Sequence, residues 1–420
     1  MKRETGSHSS RVAAHAGITF AGLMTANLLG YVLYALLSRV LGVEAYGTFS
    51  SLLAIVVIVS TPALVAQMVV AKLASDFAHD ARRLSGLVRA VDIVSIRGSV
   101  GAAAALAALA VPLASFLHIA DPLLIVLTAL SLCGTIALPF ARGILQGTSS
   151  FVAFAISNIV EAFGKALCAP LLALVAGLRG ALSGVAVGYA AAAIYTFVAV
   201  RPHARGERVM LSLRSVAGTS LGVAGVVFCI NVLLFYDVVL AKRYLDPHTV
   251  GLYGAAALAG RALYAVTAFI PTVLLPQTAN RRSLGERTRW LFLQALGLTV
   301  GLCLSVFTFY ALEPRWVIIT ITTSKFAAGS AFLVPYVGAV SALAIANVIA
   351  TYNIARGRLR FLVPLAIVAL GEITAVVLRH SSAVDLLQTI VIGHTLALVA
   401  CATSLGGSGG ASSQPGERAA

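Results

Sequence analysis

The sequence is poor in charged residues. Asp, Glu, Lys and Arg make up 11% of its 420 residues, whereas a soluble domain usually carries about a quarter. Hydrophobic residues account for 59% and the mean hydropathy is +0.96, so there are too few polar side chains to coat a globule in water. This composition excludes soluble enzymes, secreted disulfide scaffolds and disordered chains.

Cysteine and histidine are also scarce, and neither forms a motif. The five cysteines stand singly in apolar stretches, and the eight histidines show no HExxH-type spacing. Isolated cysteines of this kind are ordinary core residues, and no pair has the spacing of a zinc or redox site. We therefore expect no metal and no cofactor, and the sequence predicts a binding protein rather than an enzyme.

The chain contains instead a series of long apolar runs. A bilayer core of about 30 Å is crossed by a helix of about 20 residues, and many of the runs reach that length. We predict an all-α integral membrane protein with twelve spans, at about 14–38, 46–71, 92–117, 123–141, 151–175, 181–200, 215–237, 250–275, 290–312, 330–354, 361–378 and 386–405.

The basic residues predict the orientation of these spans. The chain has 30 Lys and Arg against 15 Asp and Glu. With the N-terminus inside, 20 of the 30 fall in inner segments, Arg142 among them, and 7 in outer loops. This bias places both termini in the cytoplasm of a multi-pass inner (plasma) membrane protein, and residues 406–420 read as a disordered tail. The positive charge thus reports orientation and not nucleic-acid binding.

The two halves of the sequence show a weak internal repeat. An offset of 204 residues places Asn27 on Asn231, Arg39 on Arg243 and Gly47 on Gly251. These positions occupy the same place in each half, and both halves would start in the same direction. The pattern predicts two six-helix lobes, residues 1–210 and 211–405, related as parallel repeats.

Three basic residues fall within predicted spans. Arg261 lies near mid-membrane without an acid four residues away, so it needs an anion, which Arg can bind through two parallel hydrogen bonds. Lys165 and Arg97 are the other embedded cations, although Arg97 could reach the inner headgroups. The anion for Arg261 could be a carboxylate of another helix or a substrate phosphate.

Acidic residues in the spans have two readings. Glu161 and Lys165 form an i,i+4 pair. In the structural reading, the two charges neutralise each other and the pair only holds its span against neighbouring spans. Asp237 or Glu372 could be the intramolecular partner of Arg261. Glu161, Asp237 and Glu372 are equally the candidate sites for a coupling proton or sodium ion.

Uncharged polar residues within the spans form a further group. Such residues are more often interhelical hydrogen bonds than ligands, and both roles are open here. They are Asn27, Asn158, Asn231 and Gln67.

The turn after the first predicted span resembles a known family. It reads Ser38-Arg-Val-Leu-Gly-Val-Glu-Ala-Tyr-Gly-Thr-Phe49, which is similar to the R-x-L-G-x-x-x-Y-G-x-F signature of bacterial polysaccharide-biosynthesis flippases of the Wzx type. The stretch from Tyr236 to Ala256, followed by Pro271 and Pro276, resembles the seventh and eighth spans of that family. The family belongs to the multidrug/oligosaccharidyl-lipid/polysaccharide exporter superfamily, with the multidrug and toxic compound extrusion (MATE) transporters and the lipid II flippases.

The resemblance implies a MATE-like pair of six-helix lobes that rock about a central cavity. It implies a polyprenyl-diphosphate-linked oligosaccharide as substrate, moved from the inner to the outer leaflet for a cell-surface polysaccharide such as O-antigen lipopolysaccharide or exopolysaccharide. The diphosphate would be bound by the embedded cations Arg261, Lys165 and Arg97. The partners would be membrane lipids and a polysaccharide polymerase or glycosyltransferase. The energy source stays open between an ion gradient, with H+ or Na+ as coupling ion, the membrane potential and removal of the substrate outside. The family's positions in the turn after the first span are implied to set its shape and topology and not to contact substrate. They correspond here to Arg39, Leu41, Gly42, Tyr46 and Gly47.

Three other readings remain open at this stage. A multidrug or metabolite cation antiporter on the same scaffold would have a cavity dominated by acids. A membrane glycosyltransferase, polymerase or ligase of the same pathway would need a sizeable outer loop, and none is visible in the sequence. The third is a scaffold protein without transport of its own.

Overall fold

The structure is a computed structural model that describes residues 2–204, 217–271, 274, 277–278 and 288–405. Several sequence-based predictions lie outside these residues. They are the 406–420 tail, the boundary between the two lobes at 210, Pro276, and the inner-loop basic residues Arg205, Arg208, Arg214, Arg281, Arg282 and Arg287.

All regular elements of the described residues are helical. The N-terminal half contains α1 (Lys2–Val40), α2 (Val43–Asp76), α3 (Ala81–Ala108), α4 (Ala110–Phe116), α5 (Leu123–Gly147) and α6 (Phe151–Val200), then a 3-10 turn at Arg201–Ala204. The C-terminal half contains α7 (Ala217–Tyr244), α8 (Pro247–Thr267), α9 (Arg289–Leu312), α10 (Pro314–Ile321), a 3-10 segment (Ser324–Gly329), α11 (Ser330–Ala355), α12 (Leu362–Leu378) and α13 (Ala383–Ala402).

Ten helical segments of the described chain are long and apolar enough to cross a membrane. This confirms the prediction of an all-α, multi-pass membrane protein. The count of twelve stays a prediction, because it requires α6 to cross twice and the shorter α12 to cross as well.

Helix α6 reverses direction in its middle. Ala176 and Gly177 leave helical geometry, and Gly177 has φ of 55° and ψ of −134°, a conformation that favours glycine. The arm after the turn, residues 178–200, packs back on the arm before it, residues 151–175. A Cβ built on Gly188 would lie 2.5 Å from the backbone nitrogen of Lys165, and Gly184 approaches Ala169 as closely. The two arms are therefore antiparallel neighbours.

Several helices extend beyond the predicted spans, and the extensions of α3, α5 and α7 include charged residues. Helix α3 begins at Ala81 rather than about 92, because Asp80 accepts hydrogen bonds from the backbone N–H groups of Arg82 and Arg83 and so caps the first turn. Helix α5 continues to Gly147, so Arg142 lies within it and not in an inner loop. Helix α7 continues to Tyr244, which places Asp237 inside the helix rather than near its end.

The two halves meet at the turn between α1 and α2 (residues 41–42) and its counterpart in the repeat, the turn between α7 and α8 (residues 245–246), which lie side by side. We call this end of the molecule the first-turn end. A Cβ built on Gly47 would lie 2.6 Å from the backbone nitrogen of Gly251, so the start of α2 touches the start of α8. Nearby, the Ser51 hydroxyl donates to the backbone oxygen of Val238 in α7 at 3.0 Å. Two positions matched by the 204-residue offset thus lie against each other.

Candidate functional site

A cavity of about 640 Å³ lies between the two halves. The N-terminal half contributes α1, α2, α5 and α6 to its wall, and the C-terminal half contributes α7 and α8. Its polar and aromatic lining residues are Asn27, Tyr31, Tyr34, Tyr46, Ser50, Arg142, Asn158, Glu161, Lys165, Asn231, Phe235, Arg261 and Tyr264.

The N-terminal side of the cavity holds one carboxylate between two cations. Lys165 Nζ lies 2.6 Å from Glu161 Oε1, and a guanidinium nitrogen of Arg142 lies 2.8 Å from Glu161 Oε2. The Lys165 ammonium also lies 4.4 Å above the ring of Tyr189. The predicted Glu161–Lys165 pair is present, and the second cation leaves this triad with a net charge of +1.

Arg142 is the residue of this triad that the sequence prediction missed. It lies on α5, and its Nε donates to the Ser157 hydroxyl at 2.9 Å, while a guanidinium nitrogen donates to the Ser157 backbone oxygen at 3.0 Å. The sequence contained a signal for this position, because the apolar run continues through Ile144 and Leu145 and the turn residues come only at 148–150. A helix end placed at that turn would have put Arg142 inside the span.

The C-terminal side of the cavity holds Arg261 paired with Asp237. A guanidinium nitrogen of Arg261 donates to Asp237 Oδ1 at 2.7 Å, and its Nε donates to the backbone oxygen of Leu234 at 3.0 Å. The Tyr253 hydroxyl donates to Asp237 Oδ2 at 2.9 Å. The Arg261 side chain keeps 15% of its surface exposed and the Asp237 side chain 2%, so the arginine faces the cavity and the aspartate lies behind it.

Cations therefore outnumber acids on the cavity wall. Arg142, Lys165 and Arg261 line it together with one carboxylate, Glu161. With the buried Asp237 included, the formal charge of the two networks is +1. The cavity is suited to an anionic group rather than to an organic cation.

Among the predicted polar residues, Asn27, Asn158 and Asn231 line the cavity and Gln67 does not. Asn158 and Asn231 each donate to the backbone oxygen four residues earlier in their helix. Asn27 and Asn231 are related by the 204-residue offset, so the repeat places one amide on each side. The Gln67 side-chain amide donates instead to Gln146 Oε1 at 2.9 Å.

Arg97 and Glu372 lie away from the cavity. Arg97 is exposed on α3, beside the exposed apolar residues Ile96 and Val100. Glu372 is buried within the C-terminal half, where the Tyr236 hydroxyl donates to its Oε1 at 2.7 Å and His394 Nε2 lies 3.5 Å from the same oxygen. Asp237, and not Glu372, is the partner of Arg261.

The cavity also contains aromatic residues that the sequence did not predict to line it. Tyr31, Tyr34 and Tyr46 line the N-terminal side, and Phe235 and Tyr264 the C-terminal side. The Arg261 guanidinium carbon lies 4.5 Å from the centre of the Phe235 ring. Sequence periodicity cannot identify these residues, because a helix between lipid and a cavity is apolar on both faces.

No group of three or more His, Cys, Asp and Glu side chains placed to hold a metal ion occurs within the residues that the structure describes. The chemistry available in the cavity consists of ion pairs, amides, hydroxyl groups and aromatic rings.

Comparison with known proteins identifies both a family and a fold. A family described as polysaccharide biosynthesis protein matches residues 12–280. No curated protein matches the chain. An inward-facing multidrug resistance MATE family transporter of the MOP superfamily is 14% identical, with 91% of this chain and 96% of that chain covered at a TM-score of 0.69.

Two further solved structures share this fold. The lipid II flippase MurJ, in an inward closed conformation, is 14% identical, with 93% of this chain and 87% of that chain covered at a TM-score of 0.70. The eukaryotic MATE transporter AtDTX14 is 13% identical, with 94% of this chain and 95% of that chain covered at a TM-score of 0.64.

Proposed function

Because the chain belongs to the polysaccharide biosynthesis protein family, we propose that it flips a polyprenyl-diphosphate-linked oligosaccharide from the inner to the outer leaflet of the plasma membrane. The product would serve the synthesis of a cell-surface polysaccharide. The likeness in fold to a lipid II flippase and to MATE transporters supports a transport role.

The observation that carries this proposal is the set of three cations on the wall of one cavity between the halves. A diphosphate taken from the headgroup region needs cations to replace its water and counterions, since an unpaired charge within the membrane is costly. Arg142, Lys165 and Arg261 line the cavity. The amides of Asn27, Asn158 and Asn231 and the nearby tyrosines offer hydrogen bonds and flat apolar faces, which suit a neutral glycan.

The transport cycle we propose is alternating access between the two halves. The halves touch at the first-turn end in this structure, so movement about that contact would expose the cavity to each side in turn. The proposal includes twelve spans with both termini in the cytoplasm, as the distribution of basic residues predicts.

We propose Glu161 as the acid that couples a proton to substrate binding. It is the carboxylate on the cavity wall and already holds Arg142 and Lys165. Protonation of Glu161 would raise the charge of the triad from +1 to +2, which matches a diphosphate. Proton and substrate would then favour the same state of the site.

A multidrug antiporter is the second candidate, and the MATE-like fold favours it. Antiport of organic cations needs acids that face the substrate. The described cavity wall carries more bases than acids, so we rank this function below the flippase.

The test is deletion of the gene, followed by analysis of lipid-linked saccharides with a probe that reaches only the outer leaflet. We expect polyprenyl-diphosphate saccharides to accumulate in the inner leaflet, and both the wild-type gene and Arg97→Gln to relieve the accumulation. Lys165→Gln is expected to fail, because it removes a cavity cation. An unchanged lipid profile in a strain without a second flippase would contradict the proposal and lead to cation-efflux assays.

A further inference from the structure

The two halves also touch at the surface of the first-turn end, through a contact that uses no cavity residue. A guanidinium nitrogen of Arg243, near the end of α7, lies 2.8 Å from Nε2 of His118, in the turn after α4. The guanidinium carbon of Arg243 also lies 5.1 Å from the centre of the Phe116 ring. One side chain of the C-terminal half is thus held by two side chains of the N-terminal half.

The chemistry of this contact requires a neutral histidine. Arginine can only donate hydrogen bonds, so Nε2 of His118 must accept, and it can accept only while it carries no proton. Protonation would turn the acceptor into a donor and place two cations side by side. Histidine is the side chain that ordinarily changes its charge between about pH 5 and 8.

The backbone at His118 indicates that the histidine is there for its side chain. Its φ is 53°, in the left-handed region that glycine and asparagine adopt most easily. The N–H groups of His118 and Ile119 close the end of α4 on the carbonyls of Ser115 and Ala114. Glycine would serve such a helix end with less strain, so the turn alone does not account for the histidine.

The other ionisable groups of this region lie on the same turn, on α7 and at the start of α2. Arg179 donates to Asp121, the acid of the same turn, at 2.7 Å, which lowers the pKa of that carboxyl. On α7, Lys242 precedes Arg243, and Tyr244 stacks on His380 with ring centres 3.9 Å apart. Glu44 lies at the start of α2. Protonation of His118 would therefore add charge beside Arg243 while Asp121 is held by Arg179.

The arginine at the matching position of the repeat makes a different contact. Arg39 and Arg243 are related by the 204-residue offset, but Arg39 donates to the backbone oxygen of Ala35 in its own helix at 2.9 Å. Its counterpart reaches across to the other half instead. The same residue type thus ends one helix in one half and bridges the halves in the other.

We propose that His118 and Arg243 form a pH-sensitive latch, which holds the halves together at the first-turn end and releases when His118 binds a proton. This proposal rests on the proposed function only in requiring the halves to move, and it names no substrate. If the first-turn end faces outward, as the basic residues predict, external acid would favour opening toward the outside.

The test is a distance measurement on the full chain in lipid nanodiscs. Spin labels would be attached at Val111→Cys on α4 and Leu312→Cys at the end of α9, two exposed positions in opposite halves, after replacement of the five native cysteines. We expect the ratio of long to short distances to rise on the order of fivefold from pH 8 to pH 5.5, since breaking one exposed charge-assisted contact has about that effect.

Three variants separate the latch from general acid effects. Asn tolerates the left-handed backbone, so His118→Asn should fold and lose the pH response. Arg243→Gln should lose it as well, because a protonated histidine then meets no cation, whereas Arg243→Lys should keep it. A pH response that persists in His118→Asn, or its absence in the unaltered protein, would overturn the latch. Transport activity does not enter the measurement, so the latch and the flippase proposal can fail separately.

Discussion

Arg261 and Asp237 form a pair in which one partner has no contact with the cavity. Asp237 is 1% exposed, and it accepts from both Arg261 and Tyr253. Removal of one partner of a buried ion pair leaves an uncompensated charge, which costs roughly 3–5 kcal/mol. Removal of either partner alone should therefore destabilise the fold, whatever the pair does for substrate.

Arg261→Ala should accordingly lower stability as well as activity. We expect a loss of roughly 3–5 kcal/mol in the free energy of unfolding, measured by denaturant titration in mixed micelles. The double variant Arg261→Gln with Asp237→Asn removes both charges and should recover most of that loss. If Arg261→Ala were as stable as the wild type, the pair would be only a weak structural contact.

Glu161→Gln tests the proposed coupling acid. The variant keeps the size of the side chain and fixes the triad at a charge of +2, so we expect substrate binding to be retained and its pH dependence to disappear. Binding of a soluble diphosphate-linked saccharide to purified protein, measured between pH 5.5 and 8, would show this. Glu372→Gln is the matched control outside the cavity, and it should leave the pH dependence in place.

At the scale of single residues, the sequence predicted those cavity residues that can be recognised by their charge alone. Lys165, Glu161 and Arg261 stand out because an ionisable group in a span must face a cavity or a partner, and the structure places all three on the cavity wall. Arg142 escaped because its helix was ended too early. The tyrosines were not predicted to line the cavity, because an uncharged aromatic side chain can lie on a lipid-facing, a buried or a cavity-facing surface.

Helix boundaries depended on how clear the turn signals were. The reversal of α6 was predicted as a break between two spans at about 175–181, and the structure has it at Ala176 and Gly177. Asp80 also marks the true start of α3, but the polar first turns of that helix resembled a loop. Long apolar segments could thus be predicted, while polar helix ends outside the apolar core could not.

The approach of α2 to α8 gives a prediction about closure. A Cβ built on Gly47 would meet the backbone of α8 at 2.6 Å, and backbone cannot give way as a flexible side chain can. We expect Gly47→Ala to destabilise the state in which the halves touch at the first-turn end by about 1–3 kcal/mol. The variant should therefore raise the fraction of long distances between spin labels on α4 and α9.

Gly101→Ala is the matched control for this variant. It lies on α3, where an added Cβ would meet nothing within 4 Å, and alanine is the better helix former. The distance distribution should stay unchanged. An effect of Gly101→Ala as large as that of Gly47→Ala would show that the close approach of α2 and α8 does not control closure.

The orientation of the whole molecule is a prediction from charge alone, and it can be tested in intact cells. His248→Cys at the first-turn end should react with a membrane-impermeant maleimide added outside, whereas His79→Cys between α2 and α3 should react only after the cells are opened. Both native side chains are exposed. The reverse labelling pattern would invert the topology and, with it, the direction of opening that the latch implies.

The measurement that tests the central claim most directly is substrate movement by the pure protein in vesicles. A polyprenyl-diphosphate-linked saccharide is placed in both leaflets. The fraction cleaved by an external pyrophosphatase, which hydrolyses the P–O–P bond of the diphosphate, is followed over time. We predict that wild-type protein gives access to nearly all of the lipid, whereas the folded double variant Arg261→Gln with Asp237→Asn gives access to about half. Movement no faster than in protein-free vesicles would contradict the flippase, and full activity of the double variant would contradict the role of Arg261 in the cavity.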